Sequence, residues 1–153
     1  MYKVFIDGRE GTTGLRIIER LSGRDDIELI PIASELRKDP AEVKKKINES
    51  DITFLCLPDA ASIEAVSYIE NPNVRIIDAS TAHRTDPDWN YGFPELSPEH
   101  RENIKNSKRV AVPGCYASGF NAIVYPMMQA GLINADALIT CAAISGYSGA
   151  GKK

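Results

Sequence analysis

Two hydrophobic patterns alternate along the chain: short apolar runs, and segments with an apolar residue at every third or fourth position. The first pattern predicts strands and the second predicts helices. The apolar runs that predict strands cover residues 2–6, 27–33, 52–57, 74–77 and 110–112. Because a helical pattern separates each run from the next and the links are short, we expect an α/β fold, a Rossmann-like doubly wound parallel sheet.

The first predicted strand ends in a glycine-rich turn that opens a helix. Its spacing, Gly-x-x-Gly-x-x-Gly, differs from the commoner Gly-x-Gly-x-x-Gly, and glycine turns also serve plain connections. In this context, however, glycine lets the backbone approach a pyrophosphate, and the helix N-terminus supplies N–H donors. We therefore assign a dinucleotide site to Gly8, Gly11, Thr12, Thr13 and Gly14.

The segment after the second predicted strand bears on the choice of cofactor, since a ribose is met about 20 residues beyond the glycines. Glu35 could accept a hydrogen bond from a free 2′-hydroxyl, which would indicate NAD. Ser34 with Arg37 and Lys38 could instead hold a 2′-phosphate, which favours NADP. Exposed basic residues in a loop are the alternative explanation. With two cations beside a hydroxyl, we predict NADP.

Ligands of parallel sheets bind at the carboxyl ends of the strands. Pro58 ends the third predicted strand and Ser80 follows the fourth, so both are assigned to the cofactor site. Arg84 is a candidate for binding a substrate carboxylate or phosphate, because a guanidinium is a bidentate donor; a surface ion pair is the alternative. His83 lies near the same edge without an assigned role. His100, in a polar helical segment, is expected to be solvated.

Cys115 lies where the fifth predicted strand meets the following helix. Unpaired N–H groups and the helix dipole would stabilise a thiolate there, and a thiolate attacks carbonyl carbon. The alternative is a small buried apolar residue, the usual fate of a free cysteine. Cys56 and Cys141 lie in apolar runs and are expected to be buried and inert. Cys115 and the glycine turn both follow strands, so we expect them to open onto one crevice.

A further apolar run over residues 137–145 predicts another strand, and the residues after it nearly spell a phosphate loop. The motif begins at Gly146, but Lys153 stands where a magnesium-binding Ser or Thr is required, and no helix follows. A nucleotide triphosphatase is therefore disfavoured. Ser145 and Ser148, among glycines and a lysine, still suit an anionic substrate or inorganic phosphate.

Composition narrows the classes of partner. The 153 residues are 43% apolar and 25% charged, with a net charge of −3, which argues against nucleic acid. No apolar run approaches the roughly 18 residues of a membrane span, and the start of the chain lacks a signal-peptide cleavage pattern, so we expect no membrane partner and a cytoplasmic location. Three cysteines without Cys-x-x-Cys spacing indicate neither a disulfide framework nor a metal site.

Five ordered segments carry a resemblance to a known family: residues 5–14, 78–84, 91–95, 112–119 and 145–152. Over nearly its whole length the chain resembles the amino-terminal half of the short-type N-acetyl-gamma-glutamyl-phosphate reductases. The resemblance implies an NADP-binding Rossmann domain followed by an α+β catalytic domain, as in the aspartate-semialdehyde and glyceraldehyde-phosphate dehydrogenases. We accordingly expect residues 1–114 to form the first domain and residues 115–153 to begin the second.

The resemblance also implies an activity: NADPH-dependent reduction of an acyl phosphate to N-acetylglutamate semialdehyde in arginine biosynthesis, with release of inorganic phosphate. Cys115 would form a thioester, and the substrate residues would be Arg84, Tyr116, Ser145 and Ser148. Family members are about twice as long, carry their acid–base histidine beyond residue 153 and would assemble as homo-oligomers. Two alternatives stay open: a dinucleotide-binding chain without turnover, and a relative acting on aspartyl phosphate.

Overall fold

The computed structural model describes residues 1–146 and contains, in that part of the chain, a parallel sheet of six strands. The strands are β1 (Tyr2–Asp7), β2 (Ile27–Ile30), β3 (Ile52–Leu55), β4 (Arg75–Asp78), β5 (Asn90–Tyr91) and β6 (Arg109–Ala111). The helices are α1 (Thr12–Leu21), α2 (Pro40–Glu49), α3 (Asp59–Ser67), α4 (Pro98–Asn106) and α5 (Cys115–Gln129). The predicted α/β, Rossmann-like fold is confirmed. None of these helices has the length and apolar character required to cross a membrane.

The strand order β2-β1-β3-β4-β6-β5 defines where ligands can bind. The chain leaves β1 towards β2 on one side and then crosses over to β3 on the other, so the topological switch point lies between β1 and β3. The final residues of four strands stand side by side in register: Asp7, Leu55, Asp78 and Ala111. Every segment that leaves these strands therefore starts from one edge of the sheet.

The main hydrophobic core lies between the sheet and helices α2 and α3. Phe5, Leu55 and Ile76 of the strands are at most 1% exposed and belong to one buried cluster with Val43 and Ile47 of α2. Such burial explains why the strands read as apolar runs, since their residues are covered by helices. The core therefore packs the sheet against α2 and α3 and leaves the carboxyl edge to the loops.

Two strands differ from the sequence pattern for local reasons. β2 ends at Ile30 and not at residue 33, because Pro31 has no N–H to donate to a neighbouring strand. β5 has only two residues, and its pairing of Tyr91 with Ala111 is too short to give a hydrophobic pattern. Both differences lie at the edges of the sheet, so they leave the order of the central strands unchanged.

The segment after α5 does not form the predicted strand. Residues 137–146 are irregular, and no strand in the described part of the chain pairs with them. A strand needs partners for its backbone N–H and C=O groups, so the apolar pattern alone is insufficient. Cys141, which was expected to be buried in that strand, is exposed. α5 itself buries Val124, whereas Ile123 is 64% exposed.

A first test concerns Gly8, which ends β1 with a φ of +78°. A β-carbon there would lie 2.2 Å from the carbonyl oxygen of Cys56, so we expect Gly8→Ala to lower the free energy of unfolding by about 1–3 kcal/mol in urea denaturation. Gly23→Ala is the control. No atom lies within 4 Å of its β-carbon position, and its stability should change by less than about 1 kcal/mol. Equal stability of Gly8→Ala and the parent protein would contradict this account of the turn.

Candidate active site

The turn between β1 and α1 depends on close backbone contacts. The Gly11 N–H donates to the Gly8 carbonyl at 3.0 Å, and a β-carbon on Gly14 would lie 2.5 Å from that same carbonyl oxygen. Gly11 is the N-cap of α1, and no side chain of the described residues caps this helix start. The first-turn N–H groups of α1, which begins at Thr12 and Thr13, therefore fit a pyrophosphate.

A cleft of about 260 Å³ opens beside this turn at the switch point. Its walls include the predicted residues Gly8, Gly11, Arg37, Lys38 and Pro58. Ser34 and Glu35 are exposed in the loop after β2 and do not line this cleft. Glu10, to which the sequence analysis gave no role, lines the cleft and forms an ion pair with Arg37. The cleft thus combines a backbone that a ligand can approach closely with cationic side chains. Both features suit the phosphates of a dinucleotide.

Asp78, the last residue of β4, is a fully buried carboxylate. It accepts hydrogen bonds from Ser62 Oγ at 2.6 Å and from the backbone N–H and Oγ of Ser80 at 2.9 and 2.7 Å. His83 Nδ1 lies 2.6 Å from its second oxygen, and the His83 ring stacks on Trp89 with centroids 4.1 Å apart. Burial raises the pKa of Asp78, but the hydrogen bonds from the two serines and the histidine outweigh burial and hold it below its ordinary value.

This network changes the interpretation of Ser80. Its side chain is only 6% exposed, its hydroxyl donates to Asp78, and its Oγ accepts a hydrogen bond from the Ala82 N–H at 3.2 Å. The hydroxyl is therefore directed into the protein. The structure supports a role for Ser80 in positioning the loop after β4, and its contact with a cofactor stays a prediction.

Arg84 lies in the middle of that loop, which covers residues 79–89. Its Nε donates to the Val112 carbonyl at 2.9 Å, and its Nη2 donates to the Ala79 carbonyl at 3.3 Å. Its Nη1 is 2.8 Å from the place where a β-carbon on Gly114 would stand, so the guanidinium packs against the residue before Cys115. Within residues 1–146 no carboxylate forms an ion pair with Arg84, which disfavours the surface ion pair as its role.

Cys115 is exposed and is the first residue of α5. Gly114 is the N-cap, and its carbonyl accepts hydrogen bonds from the Ser118 N–H at 2.8 Å and the Ser118 Oγ at 2.9 Å. No side chain of the described residues caps this helix start, so its first N–H groups remain available to an anion. These donors suit an oxyanion that forms next to Cys115.

Cys115 and the glycine turn lie at the same edge of the sheet but open onto two separate clefts. β3 and β4 lie between β1 and β6, so three strand spacings, roughly 14 Å, separate the two elements across the sheet. Cys115 lines a mainly apolar cleft of about 620 Å³ between α5 and residues 139–146, together with Tyr116 and Ser145. Ser148 lies outside the described residues. The two clefts thus lie along one edge of the sheet, and the single crevice expected from the sequence stays a prediction.

The other two cysteines have different environments. Cys56 directly follows β3, and burial together with the charges of Asp7 and Asp78 raises the pKa of its thiol to about 12. Cys141 is exposed, but it lies in an irregular segment without a helix start. Cys115 is thus the cysteine whose surroundings suit nucleophilic chemistry.

His100 is not simply solvated, as was expected. It is half-buried, its Nδ1 lies 2.8 Å from Ser97 Oγ, and its ring meets Tyr125 of α5 edge-on with centroids 5.8 Å apart. His100 therefore helps to pack α4 against α5, a contact that the polar sequence around it does not indicate.

The Rossmann-like sheet, the uncapped helix start beside a glycine turn and the exposed cysteine define a dinucleotide-binding protein with a candidate thiol nucleophile. The family described as semialdehyde dehydrogenase, NAD binding domain, matches residues 3–104, and the semialdehyde dehydrogenase dimerisation domain matches residues 115–153. The chain belongs to the semialdehyde dehydrogenase family. A nicotinamide dinucleotide is accordingly the cofactor of its first domain.

Curated relatives confirm the resemblance noted from the sequence. The N-acetyl-gamma-glutamyl-phosphate reductase of Burkholderia lata is 53% identical over 149 residues, which cover 97% of this chain and 47% of the relative. The protein of the same name from Trichormus variabilis is 53% identical over 150 residues, covering 98% and 47%. The chain therefore spans about half the length of these relatives.

Solved structures of aspartate semialdehyde dehydrogenases share the fold. The enzyme II of Vibrio cholerae, complexed with ASA, has a TM-score of 0.60 at 16% identity and covers 85% of this chain and 43% of its own. The Candida albicans enzyme with NADP also has a TM-score of 0.60 at 16% identity, covering 84% and 47%. At this identity the likeness extends to the fold alone.

Alkylation at neutral pH tests the position of Cys115. We expect iodoacetamide to label Cys115 several times faster than Cys141 or Cys56, because its sulfur is exposed at a helix start whose first N–H groups have no side-chain partner among the described residues. Peptide mass spectrometry over a time course measures the three rates. Cys141 is the matched control, since it is also exposed but lies in an irregular segment. Equal rates for Cys115 and Cys141 would remove the case for an activated thiol.

The Asp78 network predicts a pH-dependent contribution to stability. Because the folded-state pKa of Asp78 lies below its unfolded value of about 3.9, its stabilisation is present above that pH and is lost as the pH falls through the folded value. Asp78→Asn should lower the free energy of unfolding by about 1–3 kcal/mol at pH 7, and by less below about pH 4. Urea denaturation across pH measures both effects.

Asp7→Asn provides the opposite case, because burial raises the pKa of Asp7. Its ionisation opposes folding once the pH exceeds the unfolded value, so the asparagine variant should be at least as stable as the parent protein at pH 7.

A loss of stability in Asp78→Asn that does not vary between pH 3 and pH 7 would contradict the ionised state assigned to Asp78.

Proposed function

We propose that this chain supplies the cofactor site and the nucleophile of an NADPH-dependent N-acetyl-gamma-glutamyl-phosphate reductase of arginine biosynthesis. The observation that carries the proposal is the exposed position of Cys115 at the first turn of α5, on the edge that also holds the glycine turn. The identity of 53% with the named reductases supports the choice of substrate. A cytoplasmic location and a homo-oligomer, consistent with the dimerisation-domain match, belong to the same proposal.

Cys115 opens the reaction. Its thiolate attacks the carbonyl carbon of the acyl phosphate, the bond between that carbon and the phosphate oxygen breaks, and inorganic phosphate leaves with the electron pair. The first N–H groups of α5 stabilise the oxyanion that forms before the thioester. When bound, NADPH supplies the hydride that reduces the thioester carbon. The resulting thiohemiacetal anion then releases the semialdehyde as its carbon–sulfur bond breaks, and the electron pair of that bond returns to Cys115 as the thiolate.

The substrate side of the proposal rests on the residues around Cys115. Arg84 is assigned to a phosphate or carboxylate of the substrate, because its guanidinium packs against Gly114 and Nη1 points to the start of α5. Tyr116 and Ser145 line the same cleft as Cys115, and Ser148 completes the assignment from sequence. In this proposal residues 1–114 form the cofactor domain and residues 115–153 begin the catalytic domain.

The cofactor side rests on the cleft beside the glycine turn. The uncapped start of α1, at Thr12 and Thr13, would hold the pyrophosphate, with Gly8, Gly11 and Gly14 allowing its close approach. Arg37 and Lys38 line that cleft and would bind a 2′-phosphate, and Pro58 lines the same cleft.

This arrangement predicts a preference between cofactors. NADPH should bind with a lower Kd than NADH in a fluorescence titration, and Arg37→Gln should weaken NADPH binding by about tenfold, because a charge-assisted hydrogen bond is lost. Binding of NADH should change much less. Equal affinities for the two nucleotides in the parent protein would overturn the choice of NADP.

Turnover tests the function itself. We expect oxidation of NADPH at 340 nm with N-acetyl-gamma-glutamyl phosphate, and phosphate-dependent reduction of NADP with the semialdehyde. Cys115→Ala should abolish both reactions and keep the thermal stabilisation by NADPH, since Cys115 lines a different cleft from the glycine turn. Stabilisation by NADPH without turnover in the parent chain would favour a dinucleotide-binding role. Turnover with aspartyl phosphate alone would contradict the assigned substrate.

A further inference from the structure

Glu10 and Arg37 join the two sides of the dinucleotide cleft. Glu10 belongs to the glycine turn after β1, Arg37 belongs to the loop after β2, and their side chains form an ion pair. Both side chains remain about half exposed, at 53% and 43%, and both line the cleft of about 260 Å³. The pair is therefore accessible to a ligand that enters the cleft.

The charged residues around this pair differ in whether they are exposed and in whether they already form an ion pair. Arg9 and Lys38 line the same cleft, and neither forms an ion pair with a carboxylate of residues 1–146. Asp7, the other acid of the cleft, is buried at the end of β1, and burial raises its pKa. Glu10 is thus the exposed carboxylate of the cleft, and it pairs with a guanidinium that suits a phosphate.

A guanidinium binds carboxylate and phosphate with the same set of N–H donors. Glu10 contacts Arg37 through Nη1, so this donor is not open to a ribose 2′-phosphate while the ion pair is formed. A nucleotide with a phosphate at that position must displace Glu10 to reach Nη1 and also meets its negative charge. A nucleotide with a free 2′-hydroxyl can bind while the ion pair stays formed.

We propose that Glu10 is a specificity-determining residue: its carboxylate competes with the 2′-phosphate for Arg37 and so weakens the preference for NADPH over NADH. The inference rests on the proposed cofactor site and adds to it an internal competitor. In this proposal Arg37 distinguishes NADPH from NADH, and Glu10 reduces the size of that difference in affinity.

Nucleotide titration of Glu10→Gln tests this role. Exposed ion pairs are weak, so the Kd for NADPH should fall about two- to fivefold while the Kd for NADH stays within about 1.5-fold. Glu19→Gln is the matched control, because it removes the same charge from another exposed ion pair, with Arg16, on α1 away from the cleft walls. Circular dichroism and thermal melts check that the variants fold alike.

Two outcomes in these single variants would overturn the inference. Tighter NADPH binding in Glu19→Gln equal to that in Glu10→Gln would assign the effect to net charge. An equal gain for NADPH and NADH in Glu10→Gln would assign it to repulsion of the pyrophosphate, which both nucleotides carry.

A double-mutant cycle tests whether Glu10 acts through Arg37. On an Arg37→Gln background, Glu10→Gln should leave the Kd for NADPH within about 1.5-fold, because the contested donor is gone. A gain as large as in the parent background would overturn the proposed competition. If the parent protein binds neither nucleotide, the cofactor site itself is wrong. If the parent prefers NADPH and Glu10→Gln leaves that preference unchanged, only the role of Glu10 is refuted.

Discussion

Parallel pairing of the central strands is the constraint on which the rest of the molecule depends. β1, β3, β4 and β6 end in register, so the glycine turn, the loop at Pro58, the Asp78 loop and Cys115 all begin from one edge. Parallel strands require crossover helices, and α2 and α3 bury the core that fixes the order of the strands. The glycine turn and Cys115, more than 100 positions apart in the chain, are thus brought to one edge without touching each other.

Asp78 connects this sheet to the chemistry at its edge. The carboxylate is buried at the end of β4, and Ser62, Ser80 and His83 satisfy it with hydrogen bonds. A buried charge without hydrogen-bond partners would destabilise the fold. Because Asp78 has these partners, it fixes the path of the loop after β4. That path brings the guanidinium of Arg84 against Gly114. A buried carboxylate therefore helps to position a cation beside the candidate nucleophile.

The sequence predicted the features that depend on local pattern and missed those that depend on long-range pairing. Apolar runs and glycine spacing identified the sheet, the turn and the place of Cys115, because covered strands and helix starts have local signatures. The strand over residues 137–145 was wrong, since a strand exists only with a partner. The contact between Glu10 and Arg37 was missed because it needs the order of β1 and β2, which no local pattern contains.

Acylation of Cys115 is the central step of the proposed reaction, and it can be observed directly. Mixing the protein with N-acetyl-gamma-glutamyl phosphate in the absence of NADPH should release one equivalent of phosphate per chain. Peptide mass spectrometry should then find the acyl group on Cys115. Turnover without any adduct at that sulfur, or an adduct on Cys56 or Cys141, would contradict the account.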